Sequence, residues 1–576
     1  MPVRHSTMPF RNALLFAIPY KIEFSSARVL PLTVPMPPQS IGVIYNYLKN
    51  NNIKTRVYDV VHAMGRDQIY EWRHRVYQDS VNVKRCIENE GSDYDVFFEK
   101  LGGKEFFEQF GLILLSIHDS SVEGSLLALL LSSYIKRLTK NTIIILGGEI
   151  EQTDYVSNLI RMRKVRAIDV VVKGHHIENI VRIVECIENN KDFSEIPAVL
   201  YYDKKKDAFI ERDNIPKSQT LGPLDFGNLN LDYYKIPLTH FLPKKYVVKN
   251  EKRMLVIPYT FIYGCPHRCA FCANSINTRM NYLPPSEVVK VVGEIKRKYK
   301  TSYFMFLNNT LNFSYDYVNE LCDLIIKAQL DIVWSDCVSM HNLDRKLLIK
   351  MRKAGAARLI FGLETGSDRL LKFCDKGITA QDAAQCFEWS HEAGIYNGVE
   401  IIAGLPHEEE DDITATINFL NTHTHCIDEV HINPFALHKY SFFYENAQHF
   451  NIEHIVDGGV DLYKRLEGNR DIVEDFITWR YQYNEKGGKQ WEEKRQQTRN
   501  SYMKIIRNCK IHLYGASRVD LAVLFYLYKH MHGKSNIVAA YNSFYRKAHI
   551  KKSFYHNKIC SFLMKIKRKI GKNEHR

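Results

Sequence analysis

Short apolar runs alternate with amphipathic stretches over the first two hundred residues, and this alternation predicts a doubly wound α/β sheet. Ala13 to Ile18, Arg56 to Val60, Leu112 to Ile117, Thr142 to Leu146 and Ile168 to Val172 read as five strands. Apolar runs of this kind are what parallel strands covered on both faces look like. Helical spacing fills Ser40 to Asn50, Ser125 to Thr139, Asp154 to Met162 and Ile177 to Ile187, and the charged, aromatic stretch His62 to Phe110 reads as a helical insertion. Such sheets hold ligands beyond the carboxyl ends of their strands. The loops there are Ser116 to Ser121, Gly147-Gly148-Glu149 and Gly174-His175-His176. Paired glycines directly after a strand let the backbone approach a large ligand, although glycines also end strands for purely conformational reasons.

A second βα series follows a segment, 201–250, that reads as a linker. Leu255 to Ile262, Tyr303 to Leu307, Ile332 to Cys337, Arg358 to Leu363, Gly398 to Ile402 and Glu429 to Asn433 read as six strands, each but the last leading into a helix. Six βα units make a partial (β/α)6 barrel over 251–445, with its site at the carboxyl end of the strands. Ser286, Asp344 and Thr379 are placed to cap helices, and the acidic run Glu408 to Asp412 to complement a helix amino end. Residues 446–576 read as mainly helical, with helices at Asp471 to Tyr481 and Lys489 to Arg507 and a basic tail.

The loop after the first barrel strand carries the chemistry. Cys265, Cys269 and Cys272 stand in a C-x3-C-x2-C spacing. On a straight helix these positions would fall in a line about 10 Å long. Gly264 and Pro266 favour an irregular loop instead, which can fold three thiolates round one centre. Three thiolates suit a 4Fe–4S cube and leave one iron without a protein ligand. Structural zinc would want four ligands, and the nearest further candidate is His267. Spacing alone leaves a cluster, zinc and chance all open.

Bulk properties narrow the class. Twelve cysteines in 576 residues are too sparse for a disulfide scaffold and point to a reducing, cytoplasmic setting. No apolar run approaches the roughly 20 residues needed to cross a bilayer, and no cleavable signal peptide is evident. The net charge of +14 is concentrated: Tyr545 to Arg576 holds eleven Lys or Arg and one acid. A basic tail argues weakly for nucleic acid, and Ile559 to Ile570 has the spacing of a helix that could touch an anionic membrane surface.

With these residues in view, the chain resembles the radical S-adenosylmethionine (SAM) enzymes that carry an amino-terminal cobalamin-binding domain. The barrel part of the resemblance rests on the three cysteines with Phe271, on Gly362-Leu-Glu-Thr-Gly-Ser367 with Lys376-Gly377, and on Glu400-Ile-Ile-Ala-Gly404-Leu-Pro-His-Glu408. The amino-terminal part rests on Pro37-Pro38-Gln-Ser-Ile-Gly42, Tyr58-Asp59, Ser116, Leu146-Gly-Gly148 and Val171-Val-Lys-Gly174. The resemblance implies a flavodoxin-like cobalamin domain over 1–200. It implies a 4Fe–4S cluster on Cys265, Cys269 and Cys272, and SAM lined by Phe271, Glu364, Ile402 and Gly404. Ser116, Gly147, Gly148 and Gly174 would face the corrin of cobalamin. Glu364 also reads as a simple helix cap. The implied partners are a small-molecule or peptide substrate and an external electron donor such as flavodoxin or ferredoxin. The implied activity is cobalamin-dependent methylation of an unactivated carbon. The alternatives are a radical rearrangement, oxidation or cyclisation without cobalamin, and a cobalamin-binding sensor.

The chain departs from the pattern in places. It lacks the D-x-H-x-x-G signature that supplies a histidine to cobalt, and Gly174-His175-His176-Ile177-Glu178 stands where relatives often show Gly-Glu-Gly-Glu. Asn308 and Asn309 occupy a position where acids are common, and their role is open at this stage.

Overall fold

The computed structural model describes residues 10–18, 36–88, 90–118, 122–139, 141–149, 165–174, 176–203, 206, 208–212, 221–273, 280–456, 481–511 and 518–542. The first sheet contains β1 (Asn12–Ala17), β2 (Lys54–Asp59), β3 (Leu112–His118), β4 (Ile143–Glu149), β5 (Val170–Lys173), β6 (Val199–Asp203) and β7 (Ala208–Arg212). Their spatial order is β2-β1-β3-β4-β5-β6-β7. The first five strands are parallel and β6 and β7 are antiparallel. The chain therefore reverses direction across the sheet between β1 and β3, the position where doubly wound sheets open a ligand crevice. Helices α1 (Gln39–Asn50) and α3 (Glu178–Glu188) cover one face, and α2 (Val122–Leu138) with the expected helical insertion covers the other. The five expected strands are found within three residues at either end, the largest difference being β4, which runs on to Glu149. The β6–β7 hairpin is additional and carries the sheet past residue 200. The expected helix at Asp154 to Met162 lies outside the described residues.

The second sheet contains β8 (Val256–Tyr259), β9 (Tyr303–Phe306), β10 (Val333–Val338), β11 (Ala356–Glu364), β12 (Tyr396–Ala403) and β13 (Glu429–Pro434). They lie in sequence order and pair in parallel throughout, as an open barrel does. Helices α4 (Pro285–Tyr299), α5 (Tyr315–Lys327), α6 (Arg345–Lys353), α7 (Ala380–Glu392) and α8 (Glu410–Thr422) pack outside. Asp344 caps α6 and Thr379 opens α7 with a capping box, as their positions predict. Ser286 does not cap α4: Pro285 takes the first helical position, where its missing N–H costs nothing, and Ser286 falls inside the first turn. Helix α9 (Trp491–Asn508) packs beside β12 and β13. Helix α10 (Arg518–His530) buries Leu521 to Tyr528 against Met254, Val256, Tyr303, Val333 and Tyr396 and so closes the amino end of the barrel. The region after residue 445 also contains an antiparallel ladder of Ile452–Val456 with Gln482–Glu485. The helix expected at Lys489 to Arg507 is α9, and the one expected at Asp471 to Tyr481 lies outside the described residues except for Tyr481, which is in a β-bridge.

The stretch that reads as a linker is built into both sheets. Leu224, Phe226, Leu229 and Tyr234 are buried in a core that runs from β1 to β13 without a break. Asn228 pairs through its amide with both backbone groups of Val57 on β2, at 2.7 and 3.0 Å. Asp225 joins Lys49 of α1 to Lys298 of α4, at 3.1 and 2.7 Å. Burial would raise the Asp225 carboxyl, but these two ammonium groups and the Gly227 N–H hold it below its ordinary value. One residue thus ties the two sheets through opposite charges.

Candidate active site

The cysteine loop leaves the barrel directly after β8. Ile262–Tyr263 pairs antiparallel with Asn281–Tyr282, so a short ladder closes the base of the excursion. Gly264 takes φ +95°, a conformation that a side chain would strain, and Cys265 to Cys272 forms no helix. The irregular loop expected from Gly264 and Pro266 is what forms. Ala270 anchors it on both sides: its N–H donates to Cys374 O at 2.8 Å, and its carbonyl accepts from Phe443 N at 2.9 Å.

Asn308 and Asn309 acquire a role here. Asn308 Oδ1 accepts from Phe261 N and Ile262 N at 3.0 and 2.8 Å, and Asn309 Oδ1 accepts from Gly264 N at 2.9 Å. Asn308 Nδ2 donates to buried Asp336 at 2.6 Å. Burial pushes the Asp336 carboxyl up to about 7, against the pull of the three N–H groups that face it. Two amides and one carboxyl therefore hold the backbone that leads into the thiols.

All three cysteines are partly buried. Burial raises the thiol pKa of Cys265 and Cys269. The ammonium of Lys376 works against this. Its Nζ sits 2.8 Å from Glu364 Oε1 and 5.5 Å from the centre of the Phe271 ring. Desolvation alone would lower the Lys376 pKa, but Glu364, Cys269 and Cys272 outweigh it and raise the value. Glu364 itself is held at φ +72°, where the β11–β12 register shifts. A side chain at Gly362 would strike Glu364 Oε1 at 2.6 Å and Lys376 Nζ at 3.1 Å, so the glycine leaves room for the pair. Glu364 is not a helix cap; that position belongs to Ser367, whose hydroxyl accepts from Leu370 N. His267 stacks on His341 at 4.6 Å with its Nε2 buried and unbonded, and burial lowers its pKa to about 4. It is thus a neutral ring against the loop.

The sulfur geometry bears on which metal fits. Four ligands at about 2.3 Å round one zinc stand less than about 4 Å apart. The sulfurs of Cys265, Cys269 and Cys272 do not gather within 4.8 Å of one another; among the described residues only Glu388, His425 and Cys426 do. Three thiols on one irregular loop, with an ammonium nearby to balance thiolate charge, suit a polynuclear cluster that leaves one iron without a protein ligand.

The turn after β12 forms the neighbouring wall. Gly404 takes φ +83°, and a Cβ there would lie 2.3 Å from Thr498 Oγ1 on α9. The acidic run does more than complement a helix end. Glu409 and Asp412 form a capping box for α8. Buried Glu408 accepts from Gly404 N with both oxygens, at 3.1 and 3.0 Å, and buried Asp412 accepts from Ser367 Oγ at 2.5 Å. Lys494 of α9, 1% exposed, donates to Leu405 O at 2.6 Å and pairs with Glu485 at 2.9 Å. Ile402 stands half-buried on β12 just before this turn. Lys376, Asn308, Glu408, Lys494 and Thr498 were not candidate site residues from the sequence; the Lys376-Gly377 and Glu408 motifs offered a hint, Lys494 and Thr498 none.

Across the molecule, Ser116, Gly147, Gly148, Gly174 and His176 line a crevice at the carboxyl edge of the first sheet, floored by Leu15, Leu114, Ile145 and Val172. Gly148 takes φ +122°, and a Cβ there would fall 2.0 Å from Ile117 O. This edge faces the barrel mouth through the first turn of α1. Ser116 Oγ contacts Ser40 Oγ at 3.4 Å, and Gln39 Oε1 accepts from Thr260, the residue after β8, at 3.1 Å.

Residues 259–420 match the model of the Radical SAM superfamily. This segment is a radical SAM domain. The matched segment runs from the end of β8 through the cysteine loop into α8, and the chain is thereby an enzyme. It is 24% identical over 290 residues to an uncharacterized methyltransferase of Pyrococcus horikoshii, covering 49% of this chain and 59% of that protein. It is 22% identical to the anaerobic magnesium-protoporphyrin IX monomethyl ester cyclase of Synechocystis, covering 46% of this chain and 50% of that one. The chain thus spans between half and three fifths of the length of these relatives. The fold also matches the radical S-adenosylmethionine methyltransferase TsrM of Kitasatospora setae, solved with cobalamin and a [4Fe-4S] cluster. The TM-score is 0.58 at 12% identity, over 94% of this chain and 100% of that one. No described helix is long and apolar enough to cross a membrane, and the basic tail at Ile559 to Ile570 lies outside the described residues.

Proposed function

We propose that this radical SAM enzyme methylates an unactivated carbon with a 4Fe–4S cluster, SAM and cobalamin. The observation that carries the reading is three thiols on one irregular loop beside the Glu364–Lys376 pair. Cys265, Cys269 and Cys272 would hold the cluster. When bound, the cluster would supply the electron for reductive cleavage of SAM to a 5′-deoxyadenosyl radical. Ser116, Gly147, Gly148 and Gly174 would hold cobalamin, which would supply the methyl group, with a second SAM as the methyl source.

The chain's own residues supply placement. Asn308 and Asn309 fix the backbone in front of Cys265, so the thiols start from one arrangement. Glu364 and Lys376 present a carboxylate and an ammonium, which suit the amino and carboxylate ends of SAM. Phe271, Ile402 and the Gly404 turn give an apolar wall for its adenine, held against α9 by Glu408 and Lys494. Helix α10 closes the barrel floor and excludes water from below. The first sheet brings its crevice to the open mouth through α1, so both carboxyl edges face one space. The substrate and an external one-electron donor, such as flavodoxin or ferredoxin, would meet the site there. The domain division 1–200, 201–250, 251–445 and 446–576 suits this arrangement once the first domain takes in the β6–β7 hairpin and the middle segment, which acts as a clasp, begins at residue 221.

Anaerobic reconstitution with iron and sulfide, followed by turnover with SAM, reductant and cobalamin, tests the reading. S-adenosylhomocysteine and 5′-deoxyadenosine should both form, and bound corrin should be stoichiometric. The similarity to a cyclase favours a second reading, radical cyclisation without methyl transfer. Deoxyadenosine formed with no S-adenosylhomocysteine would establish that one instead.

A further inference from the structure

At the amino end of the barrel strands, opposite the cysteine loop, a second set of metal-binding side chains converges. Glu388 stands on α7, and His425 and Cys426 stand on the turn that leads into β13. One ligand atom from each lies within 4.8 Å of the other two, the only such group among the described residues. His425 Nε2 meets Glu388 Oε1 at 2.5 Å. Cys426 is fully buried, whereas the His425 and Glu388 side chains are 59% and 36% exposed. The thiol is therefore the floor of a shallow site and the other two are its rim. Neighbouring Asp428 and His391 are engaged by Lys534, at 2.8 and 3.0 Å.

We propose that Glu388, His425 and Cys426 bind a divalent cation of the zinc class, separately from the cluster loop. Thiolate, imidazole and carboxylate are the donors zinc takes at about 2.0–2.3 Å, in separations that a small outward move of the exposed imidazole satisfies. Thiolate and carboxylate together match the charge of a dication. On binding, the Cys426 S–H proton leaves to solvent as the sulfur–metal bond forms. The His425–Glu388 contact is replaced by two metal bonds, nothing is oxidised or reduced, and water fills the remaining position. The cation would pin the turn before β13 to α7.

The test is zinc uptake by the cluster-loaded protein, measured by equilibrium dialysis and zinc X-ray absorption. One zinc per chain with a single sulfur ligand is expected. Exposed-rim variants His425→Ala and Glu388→Gln should weaken uptake at least about tenfold while leaving iron content unchanged. Cys426→Ser should remove the sulfur from the zinc spectrum. A variant with Cys265, Cys269 and Cys272 all changed to Ser should still take up zinc. Uptake that survives His425→Ala and Cys426→Ser unchanged, or that disappears only with the three loop cysteines, overturns the proposal and leaves the cluster reading untouched.

Discussion

The barrel mouth and the edge of the first sheet face each other, yet they are furnished in opposite ways. The mouth is furnished with side chains: three thiols, a carboxylate–ammonium pair, and asparagines that clamp backbone. The sheet edge is marked by missing side chains, since Gly147, Gly148 and Gly174 border a crevice floored by Leu15, Leu114 and Val172. A small charged cofactor that must be oriented atom by atom needs the first kind of surface. A large flat ligand needs the second, where backbone and shape do the binding. Substitutions should therefore fail in different ways on the two sides.

The largest effect is expected at the mouth. Cys265→Ser, Cys269→Ser or Cys272→Ser should each reduce iron content and bring deoxyadenosine formation to background, with corrin binding at the other edge retained. Iron analysis, product chromatography and corrin absorbance on one sample check this. Loss of corrin together with iron would mean the two edges are one cooperative site and would break the contrast.

Next in size is the support behind the Gly404 turn. Lys494 is buried against Glu485, and burial lowers its pKa, though Glu485 and Glu408 oppose that. Lys494→Met strands two buried carboxylates, and breaking a buried pair in this way costs about 3–5 kcal/mol. Chemical denaturation should register that loss, and SAM affinity should fall in the variant. Unchanged SAM binding would show that α9 stabilises the barrel without shaping its site.

These predictions also mark what was readable from sequence. The strands of both sheets were legible because apolar runs of strand length recur with turns between them. The thiol loop was legible because Gly264 and Pro266 favour an irregular loop over a helix. Asn308, Lys494 and Thr498 were not, because each acts on backbone far away in the chain: Asn308 reaches Phe261, and Thr498 fills the space beside Gly404. The β6–β7 hairpin and the clasp at Asp225 were missed for a related reason. Polar Lys49, Lys298 and Asn228 read as surface residues until the fold brings their partners beside them.

A smaller effect should come from filling the crevice. A Cβ at Gly147 would make only ordinary contact, 3.6 Å from Val172 O, so Gly147→Ala should fold and bind normally. Gly147→Val adds branches into the crevice itself, and such overpacking costs about 1–3 kcal/mol. Corrin affinity should fall by one to two orders of magnitude at that cost, while reductive SAM cleavage continues without methyl transfer. Gly148→Ala is the harsher control, because its Cβ meets the Ile117 carbonyl at 2.0 Å and the paired ends of β3 and β4 must distort.

The finest test separates the clamp behind the thiols from the rest of the barrel. Asp336 is raised from 3.8 to about 7 by burial, so between those values the folded protein holds one proton more than the unfolded chain. Stability must then fall as pH rises from the ordinary carboxyl range towards neutrality, and be fully present below it. Asp336→Asn should abolish this slope. Its cost should be largest at the acid end of the range and shrink as pH rises, because its amide would set a second N–H group against Asn308 Nδ2 while the wild type alone loses stability towards neutrality. Denaturation midpoints across that range, with iron retention measured in parallel, decide the matter. A slope that survives in the variant would assign the titration to another buried acid, since burial also raises Glu400, Glu408 and Asp428. Iron retention that ignores the substitution would mean Asn309, through Gly264, holds the loop without help.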